Sequence, residues 1–146
     1  MKRSILLIED EQAQRELMCH VLEPRGFEIT EATDGRAGIA HLTKQDYAVI
    51  ITDLRMPGGS GEFVIQWILA NRLHLRSRVL IVTGDLLSPG LEAFLEKVQI
   101  PMLPKPYLLA DLIQLVEGIA DGRAVPIPSR SAPSMAQPKK YLVQGA

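Results

Sequence analysis

The sequence predicts a doubly wound α/β fold, in which helices cover both faces of a parallel sheet. Short apolar runs alternate with segments of helical period five times within residues 1–120. Three of the runs, SILLI, AVIIT and RVLIV, are apolar almost throughout, which is typical of strands buried on both faces. Because the chain has 146 residues and a hydrophobic content of 47%, it can bury one good core, and we expect one domain rather than two.

The first half of the chain predicts three strands and two helices. SILLIED is predicted as the first strand. EQAQRELMCHVLEP is predicted as a helix, because apolar or small residues recur at positions 13, 17, 18, 21 and 22, and because Pro24 and Gly26 end the pattern. FEITEA is the second predicted strand, DGRAGIAHLTK a weaker helix with Ile39 and Leu42 directed inward, and AVIITDL the third strand.

The second half predicts two further strands and three helices. A helix from about Gly61 places four residues on one side, namely Phe63, Val64, Trp67 and Ile68. RVLIVTG is the fourth strand, and SPGLEAFLEKV is a helix with Ser88 as its N-cap and Pro89 at its first position. IPMLPKP is the short last strand, and LLADLIQLVEGIA is the closing helix.

Residues 121–146 differ in composition from the rest of the chain. They hold four of the ten prolines, four basic residues and one acidic residue, and they show no helical period. Residues 1–120 hold the other 16 acidic residues and 12 basic residues, so this part is net negative and the tail is net positive. We expect the tail to be a flexible, proline-rich, basic extension rather than a second domain.

The sequence also predicts a compartment. No apolar run approaches the ~20 residues that cross a bilayer, so we expect no membrane contact. The apolar run in MKRSILLIEDE is too short for a secretory signal. Cys19 is the single cysteine and cannot form an internal disulfide, which fits a reducing compartment. We therefore expect a cytoplasmic protein.

Polar residues stand at the carboxyl ends of the predicted strands, where ligands bind in a doubly wound fold. These residues are Glu9 and Asp10 after the first strand, Asp53 after the third, Thr83 after the fourth and Lys105 after the fifth. Alone, Asp53 could be an ordinary aspartate that bonds its own backbone where a strand turns into a loop. Together with the other four residues it indicates a site.

This set of residue types favours a metal ion and a phosphoryl group. Three carboxylates at one edge repel one another unless a cation is present, and hard oxygen ligands with free positions suit Mg²⁺. The ammonium of Lys105 and the hydroxyl of Thr83 add a charge and a hydrogen-bond donor for an anion. Asp53 is placed to be the nucleophile, since carboxylates form aspartyl phosphates.

With these residues, the sequence resembles a response-regulator receiver domain, the phosphoacceptor module of two-component signalling. The acidic pair in LLIEDE, the DLRMPGGSG segment, VTGD and the lysine of PKP occur in the family's order and at fitting distances. The resemblance covers residues 4 to about 120, so it implies a receiver domain over residues 1–120 and a tail over 121–146. It also implies the flavodoxin-like strand order 2-1-3-4-5.

The resemblance implies a metal site for Mg²⁺ or Mn²⁺. Asp10 and Asp53 would ligate the ion directly, and the backbone carbonyl of Arg55 would be the third ligand. Glu9 would act through a water molecule. We therefore expect magnesium to be required for the phosphorylation of Asp53.

The resemblance also implies how the phosphoryl group is held. Asp53 would accept it from a phosphohistidine, Thr83 and the backbone amide of Gly84 would contact its oxygens, and Lys105 would pair with the acyl phosphate. Positioning and neutralisation of charge are most of what phosphoryl transfer requires. We expect a signalling protein that catalyses only its own phosphorylation and dephosphorylation, not an enzyme with a separate substrate.

Three residues are expected to tune the site. Arg55 lies two residues after Asp53 and Asp85 two after Thr83, positions that tend to tune hydrolysis in the family. Met102 is a departure, because receivers commonly carry Tyr or Phe three residues before the lysine. We therefore expect phosphorylation to change the face of the fourth helix, last strand and last helix only modestly, with signalling relying more on residues 83–89.

The resemblance implies a histidine kinase or a histidine phosphotransfer protein as partner, and it allows a homodimer. Residues 121–146 show no helix-turn-helix pattern and are too short for one. We therefore expect output through protein contacts and no direct binding of nucleic acid.

Three alternatives stay open. The run TGDLLSPGLEAFLEKVQIPMLPKPY is similar to receivers at the ends of hybrid histidine kinases, so the chain could be such a domain or a phosphorelay intermediate. A phosphatase or mutase with an aspartyl phosphate would need a second Asp two residues after Asp53, where this chain has Arg55. A receiver-like interaction module without phosphate would lack part of the charged set, all of which is present here.

Overall fold

The computed structural model describes residues 3–56, 61–84, 89–123 and 125. Within these ranges five strands alternate with five helices, as the sequence predicts. The strands are β1 Ser4–Ile8, β2 Glu28–Ala32, β3 Val49–Thr52, β4 Val79–Thr83 and β5 Met102–Pro104. The helices are α1 Gln12–Leu22, α2 Gly35–Leu42, α3 Gly61–Asn71, α4 Pro89–Val98 and α5 Leu109–Ala120. Short 3₁₀ helices at Glu23–Arg25 and Leu73–Arg78 follow α1 and α3.

The strands of the described chain form one parallel sheet in the order β2-β1-β3-β4-β5. This confirms the predicted fold class and the strand order that the family resemblance implies. The register pairs Ile8 with both Ala32 and Thr52, and Thr83 with Pro104. Because neighbouring strands end at the same level, the residues that follow them meet at one edge of the sheet.

The sheet separates two hydrophobic cores. Leu6 and Ile8 of β1 pack in the core beneath α2, α3 and α4, whereas Ile5 and Leu7 pack in the core beneath α1 and α5. Successive side chains of a strand point to opposite faces, so β1 is buried on both faces. This burial accounts for the uninterrupted apolar runs in the sequence.

Two large apolar residues of the predicted helical stripes are exposed. Leu17 of α1 is 39% exposed and Phe63 of α3 is 49% exposed, although the neighbouring Met18 and Val64 are 1% and 0% exposed. Adjacent residues are rotated by about 100° around a helix axis. A helix that rests on a sheet therefore buries a narrower stripe than the apolar residues of these two helices suggest.

The predicted helix starts agree with the structure at two places. α3 begins at Gly61 and α4 begins at Pro89. The predicted cap of α4, Ser88, lies outside the described residues. None of the helices in the described ranges has the length and apolar character needed to traverse a bilayer.

Cys19 is a packing residue in the structure. Its side chain is half-buried against the core of α1 and α5. Burial, together with the negative charges of Glu31 and Glu23, raises the pKa of the Cys19 thiol to about 11. A thiol with so high a pKa is protonated at neutral pH and is a poor nucleophile.

Candidate functional site

Glu9 and Asp10 follow β1 and occupy different environments. Glu9 is 2% exposed, whereas Asp10 is exposed at the edge of the sheet. The Glu9 amide donates to the Ala32 carbonyl at 3.0 Å, which extends the β1–β2 pairing by one residue. Glu9 Oε2 accepts a hydrogen bond from the Glu11 amide at 3.2 Å. The side chain of Glu9 is therefore fixed beneath its own loop, and the side chain of Asp10 is accessible.

Asp53 lies directly after β3 and is 8% exposed. Its Oδ1 accepts a hydrogen bond from the Arg55 amide at 3.1 Å, and its Oδ2 accepts one from Lys105 Nζ at 2.7 Å. The first bond is the backbone interaction typical of an aspartate at a strand-to-loop junction. The second bond reaches across the sheet and does not follow from that local role.

Lys105 joins the two buried carboxylates. Its ammonium lies 2.7 Å from Asp53 Oδ2 and 2.9 Å from Glu9 Oε1, although these residues are 52 and 96 positions away in sequence. The Lys105 amide donates to the Thr83 carbonyl at 2.9 Å, which holds the lysine beside the end of β4. Both side-chain bonds have the length of charge-assisted hydrogen bonds.

Burial and pairing act against each other at these groups. Burial raises the pKa of Glu9 above its usual value, although the hydrogen bond and charge of Lys105 oppose the shift. Burial acts to lower the pKa of Lys105, but the hydrogen bonds and charges of Asp53 and Glu9 outweigh it, so the pKa of Lys105 is raised. Lys105 therefore remains an ammonium ion at neutral pH.

The other predicted site residues in the described chain lie near Glu9, Asp53 and Lys105 or in the neighbouring strands. Thr83 ends β4 and is fully buried, and Gly84 follows it with an exposed backbone. A β-carbon at Gly84 would lie 3.7 Å from Lys105 Cβ, so the two residues are neighbours. Met102 begins β5 and packs against the core beneath α3 and α4. Asp85 lies outside the described residues.

Gly61 approaches the backbone of Asp53 closely. Its amide donates to the Leu54 carbonyl at 3.2 Å, and a β-carbon at this position would lie 2.0 Å from the carbonyl oxygen of Asp53. The same carbonyl oxygen accepts a hydrogen bond from the buried Thr52 hydroxyl at 2.9 Å. The Asp53 carbonyl is therefore held by the Thr52 hydroxyl and leaves no room for a side chain at position 61.

Arg15 is not among the site residues that the sequence predicts. Its guanidinium Nη1 donates to the carbonyl oxygens of Glu9 and Asp10 at 2.9 and 3.1 Å. In the sequence, Arg15 is the single arginine of the first predicted helix, and its residue type alone does not link it to the site. The available signal was its place in the first turns of that helix, five residues after Asp10, from which an arginine reaches the preceding loop.

The donor set fits a hard divalent cation. Asp10 and Asp53 present carboxylates at one edge of the sheet, and the carbonyl of Arg55 lies on the same loop as Asp53. Among residues 3–56, 61–84, 89–123 and 125, no three His, Cys, Asp or Glu side chains are arranged to hold a metal ion. Magnesium needs fewer protein ligands, because it keeps several waters and takes one or two carboxylates with phosphate oxygens.

The fold and the edge site define a parallel α/β domain with a buried carboxylate paired to a lysine. The family model described as "Response regulator receiver domain" matches residues 5–117. The chain belongs to this family, and it is thus a receiver domain of two-component signalling.

The chain is similar to a transcriptional regulatory protein and to receiver domains of histidine kinases. It is 43% identical over 61 residues to the phosphate regulon transcriptional regulatory protein PhoB of Escherichia coli, covering 42% of this chain and 27% of that protein. A receiver domain of a signal transduction histidine kinase from Syntrophus aciditrophicus has a TM-score of 0.74 at 25% identity, with 87% of this chain and 98% of that chain covered. The receiver domain of the Pseudomonas aeruginosa sensor histidine kinase PA1611, described with a magnesium ion coordinated in its active site cleft, has a TM-score of 0.73 at 24% identity, with 83% and 99% covered. The chain spans half or less of the length of the curated relatives that it matches.

Proposed function

We propose that this receiver domain accepts a phosphoryl group on Asp53 from a phosphohistidine, in a transfer that requires magnesium. The observation that carries the proposal is the position of Lys105, whose ammonium bonds Asp53 Oδ2 at 2.7 Å beside Thr83 and Gly84. An anion formed on Asp53 therefore has a cation already in place.

In the proposed transfer, a carboxylate oxygen of Asp53 attacks the phosphorus atom. The new O–P bond forms as the N–P bond of the phosphohistidine breaks, and the bonding electrons return to the imidazole nitrogen. Lys105 neutralises charge on the acyl phosphate, while the Thr83 hydroxyl and the Gly84 amide donate hydrogen bonds to the phosphoryl oxygens. These roles agree with the burial of Asp53 and with the contact between Gly84 and Lys105.

The metal ligands in this proposal are Asp10, Asp53 and the carbonyl of Arg55, with Glu9 acting through water. When bound, Mg²⁺ or Mn²⁺ offsets the charge that builds up on the transferring group. The magnesium ion of the structurally similar Pseudomonas domain supports this choice. The accessible side chain of Asp10 supports it too, because a partly hydrated cation needs an exposed ligand.

The test is covalent labelling of Asp53 by acetyl phosphate, followed by intact-mass measurement with magnesium, with manganese and with chelator. We expect one phosphoryl group per chain with either metal and none with chelator. Asp53→Asn should abolish labelling. Asp46→Asn is the matched control, because Asp46 is an aspartate that pairs with His74 away from the sheet edge. Absence of labelling in the wild type would identify a receiver-like module that takes no phosphate.

We further propose that residues 1–120 form the functional receiver domain, that residues 121–146 are a flexible extension, and that the protein is cytoplasmic. A histidine kinase or a histidine phosphotransfer protein is the proposed donor. Output passes through protein contacts, of which a homodimer is one form that the family resemblance allows, without direct binding of nucleic acid. Because PhoB is a transcriptional regulatory protein, a gel-shift assay with genomic DNA fragments tests the last point.

The similarity to receiver domains of two histidine kinases supports a second candidate, a receiver within a hybrid kinase or phosphorelay. The two candidates differ in the direction of transfer. A relay intermediate passes its phosphoryl group onward to the histidine of a phosphotransfer protein. Loss of label from Asp53 on addition of such a protein, with gain of phosphohistidine, would favour the relay.

A further inference from the structure

Arg15 is the side chain that connects α1 to the acidic loop after β1. It is 14% exposed, and its Nη1 donates to the carbonyl oxygens of Glu9 and Asp10 at 2.9 and 3.1 Å. Its Nε lies 3.2 Å from Glu31 Oε1 on β2. One planar group thus bonds two consecutive carbonyls of the loop and a carboxylate of the neighbouring strand, which fixes the plane of the guanidinium.

The bonds of Arg15 add to the backbone hydrogen bonds of this loop. The Glu9 amide donates to the Ala32 carbonyl, and the Glu11 amide donates to Glu9 Oε2. The carbonyls of Glu9 and Asp10 accept hydrogen bonds from Arg15. These contacts set the backbone from which the carboxylates of Glu9 and Asp10 project.

We infer that Arg15 is a positioning residue for the acidic pair, setting the backbone of Glu9 and Asp10 so that their carboxylates face a divalent cation. The inference rests on the proposed magnesium site. It assigns Arg15 no contact with the metal or the phosphoryl group. Its effect passes through the two carbonyl oxygens.

The positive charge of Arg15 and its hydrogen bonds to the loop would have opposite effects on magnesium affinity. A guanidinium near a cation site repels the cation, so removing the charge alone would tighten magnesium binding. Removing the positioning bonds would weaken it. Arg15→Met removes charge and bonds together. Arg15→Lys keeps the charge but replaces the planar fork by a single nitrogen, which does not reproduce the same set of bonds.

The experiment is calorimetric titration of magnesium chloride into the unphosphorylated full-length chain. We expect both Arg15→Met and Arg15→Lys to weaken magnesium affinity by about 10-fold, the scale typical of residues that orient metal ligands. Arg76→Met is the matched control, because Arg76 also donates to two consecutive carbonyls, those of Val98 and Gln99, at the end of α4. It should lower stability without changing magnesium affinity.

Tighter binding by Arg15→Met with unchanged binding by Arg15→Lys would show that only charge matters, and it would overturn the inference. Equal affinity in all variants would overturn it as well. A second measurement needs no metal. Amide hydrogen exchange at residues 9–11 should quicken in both Arg15 variants and stay unchanged in Arg76→Met, and unchanged exchange in all three would refute the positioning role. A wild type that binds no magnesium would instead refute the proposed function, so the two failures are distinguishable.

Discussion

Replacing Gly61 by alanine should displace the backbone of the proposed phosphoacceptor. The new β-carbon would lie 2.0 Å from the carbonyl oxygen of Asp53, 2.8 Å from its carbonyl carbon and 2.9 Å from Leu54 Cα. Real β-carbons essentially never approach other heavy atoms within 3.0 Å. All three neighbours are backbone atoms, which cannot rotate away as the end of a side chain can, so the loop must shift by about 1 Å.

The size of the effect follows from this displacement. A misplacement of about 1 Å near a reacting group costs about 100-fold in rate, so labelling of Asp53 by acetyl phosphate should slow by about 100-fold in Gly61→Ala. Overpacking costs ~1–3 kcal/mol of stability. Gly61 is the first residue of α3, where the interior helix propensity of alanine offers no offset, so the free energy of unfolding should fall by about 1–3 kcal/mol.

The two quantities are measured on the same samples, the labelling rate by intact mass and the stability by urea denaturation. Gly90→Ala is the matched control, because Gly90 lies in α4 and a β-carbon there would meet nothing within 4 Å. It should label at the wild-type rate and be as stable as the wild type or slightly more stable. The reasoning is refuted if Gly61→Ala is labelled as fast as Gly90→Ala.

The remaining predictions concern stability at alkaline pH, magnesium binding, the lifetime of the aspartyl phosphate and the segments that respond to phosphorylation. Burial raises the pKa of Tyr107 to about 12; between the ordinary value of about 10 and this value the folded state keeps a proton that the unfolded chain loses. The contribution of Tyr107 to stability should therefore be full below pH ~10 and fall by roughly 2–3 kcal/mol as the pH rises through 12; Lys105, whose pKa is also raised, titrates in the same range, so Tyr107→Phe should make the alkaline loss smaller by that amount in urea denaturation series. Asp10→Ala should abolish magnesium binding in calorimetry, because it removes the accessible carboxylate of the proposed site. Arg55→Ala should speed the hydrolysis of labelled Asp53, measured by intact mass over time, because the exposed Arg55 side chain would no longer obstruct the attacking water. Met102 stands where receivers commonly carry an aromatic residue. We therefore expect a phosphoryl mimic to change hydrogen exchange more at residues 83–90 than at residues 100–115.

Each of these predictions has a clear contrary result. An alkaline stability loss that is the same in Tyr107→Phe and in the wild type would mean that another group titrates. Unchanged magnesium affinity in Asp10→Ala would refute the assignment of Asp10 as a metal ligand. An unaltered lifetime of the aspartyl phosphate in Arg55→Ala would show that the Arg55 side chain does not obstruct the attacking water. Strong exchange changes confined to residues 100–115 would show that Met102 transmits the signal as an aromatic residue does.

The sequence by itself determined the fold class and the edge that carries the site. Strands buried on both faces are apolar at nearly every position, so β1, β3 and β4 are visible as short apolar runs. A polar residue such as Asp53, directly after such a run, marks the strand's carboxyl end. The strand order did not follow from these runs, since spacing does not say which strands are neighbours; it came from the resemblance to a family.

Only the tertiary structure decided the contacts among the site residues and the faces that the helices bury. Lys105 meets Glu9 because β1 and β5 end at the same level of one sheet, and Arg15 meets the acidic loop because of the direction in which α1 leaves it. Leu17 and Phe63 stay exposed because the width of the buried stripe depends on how each helix rests on the sheet. Periodicity records which residues share a helix face, whereas contact depends on the rotation of that helix against its neighbours and on bonds between side chains far apart in sequence.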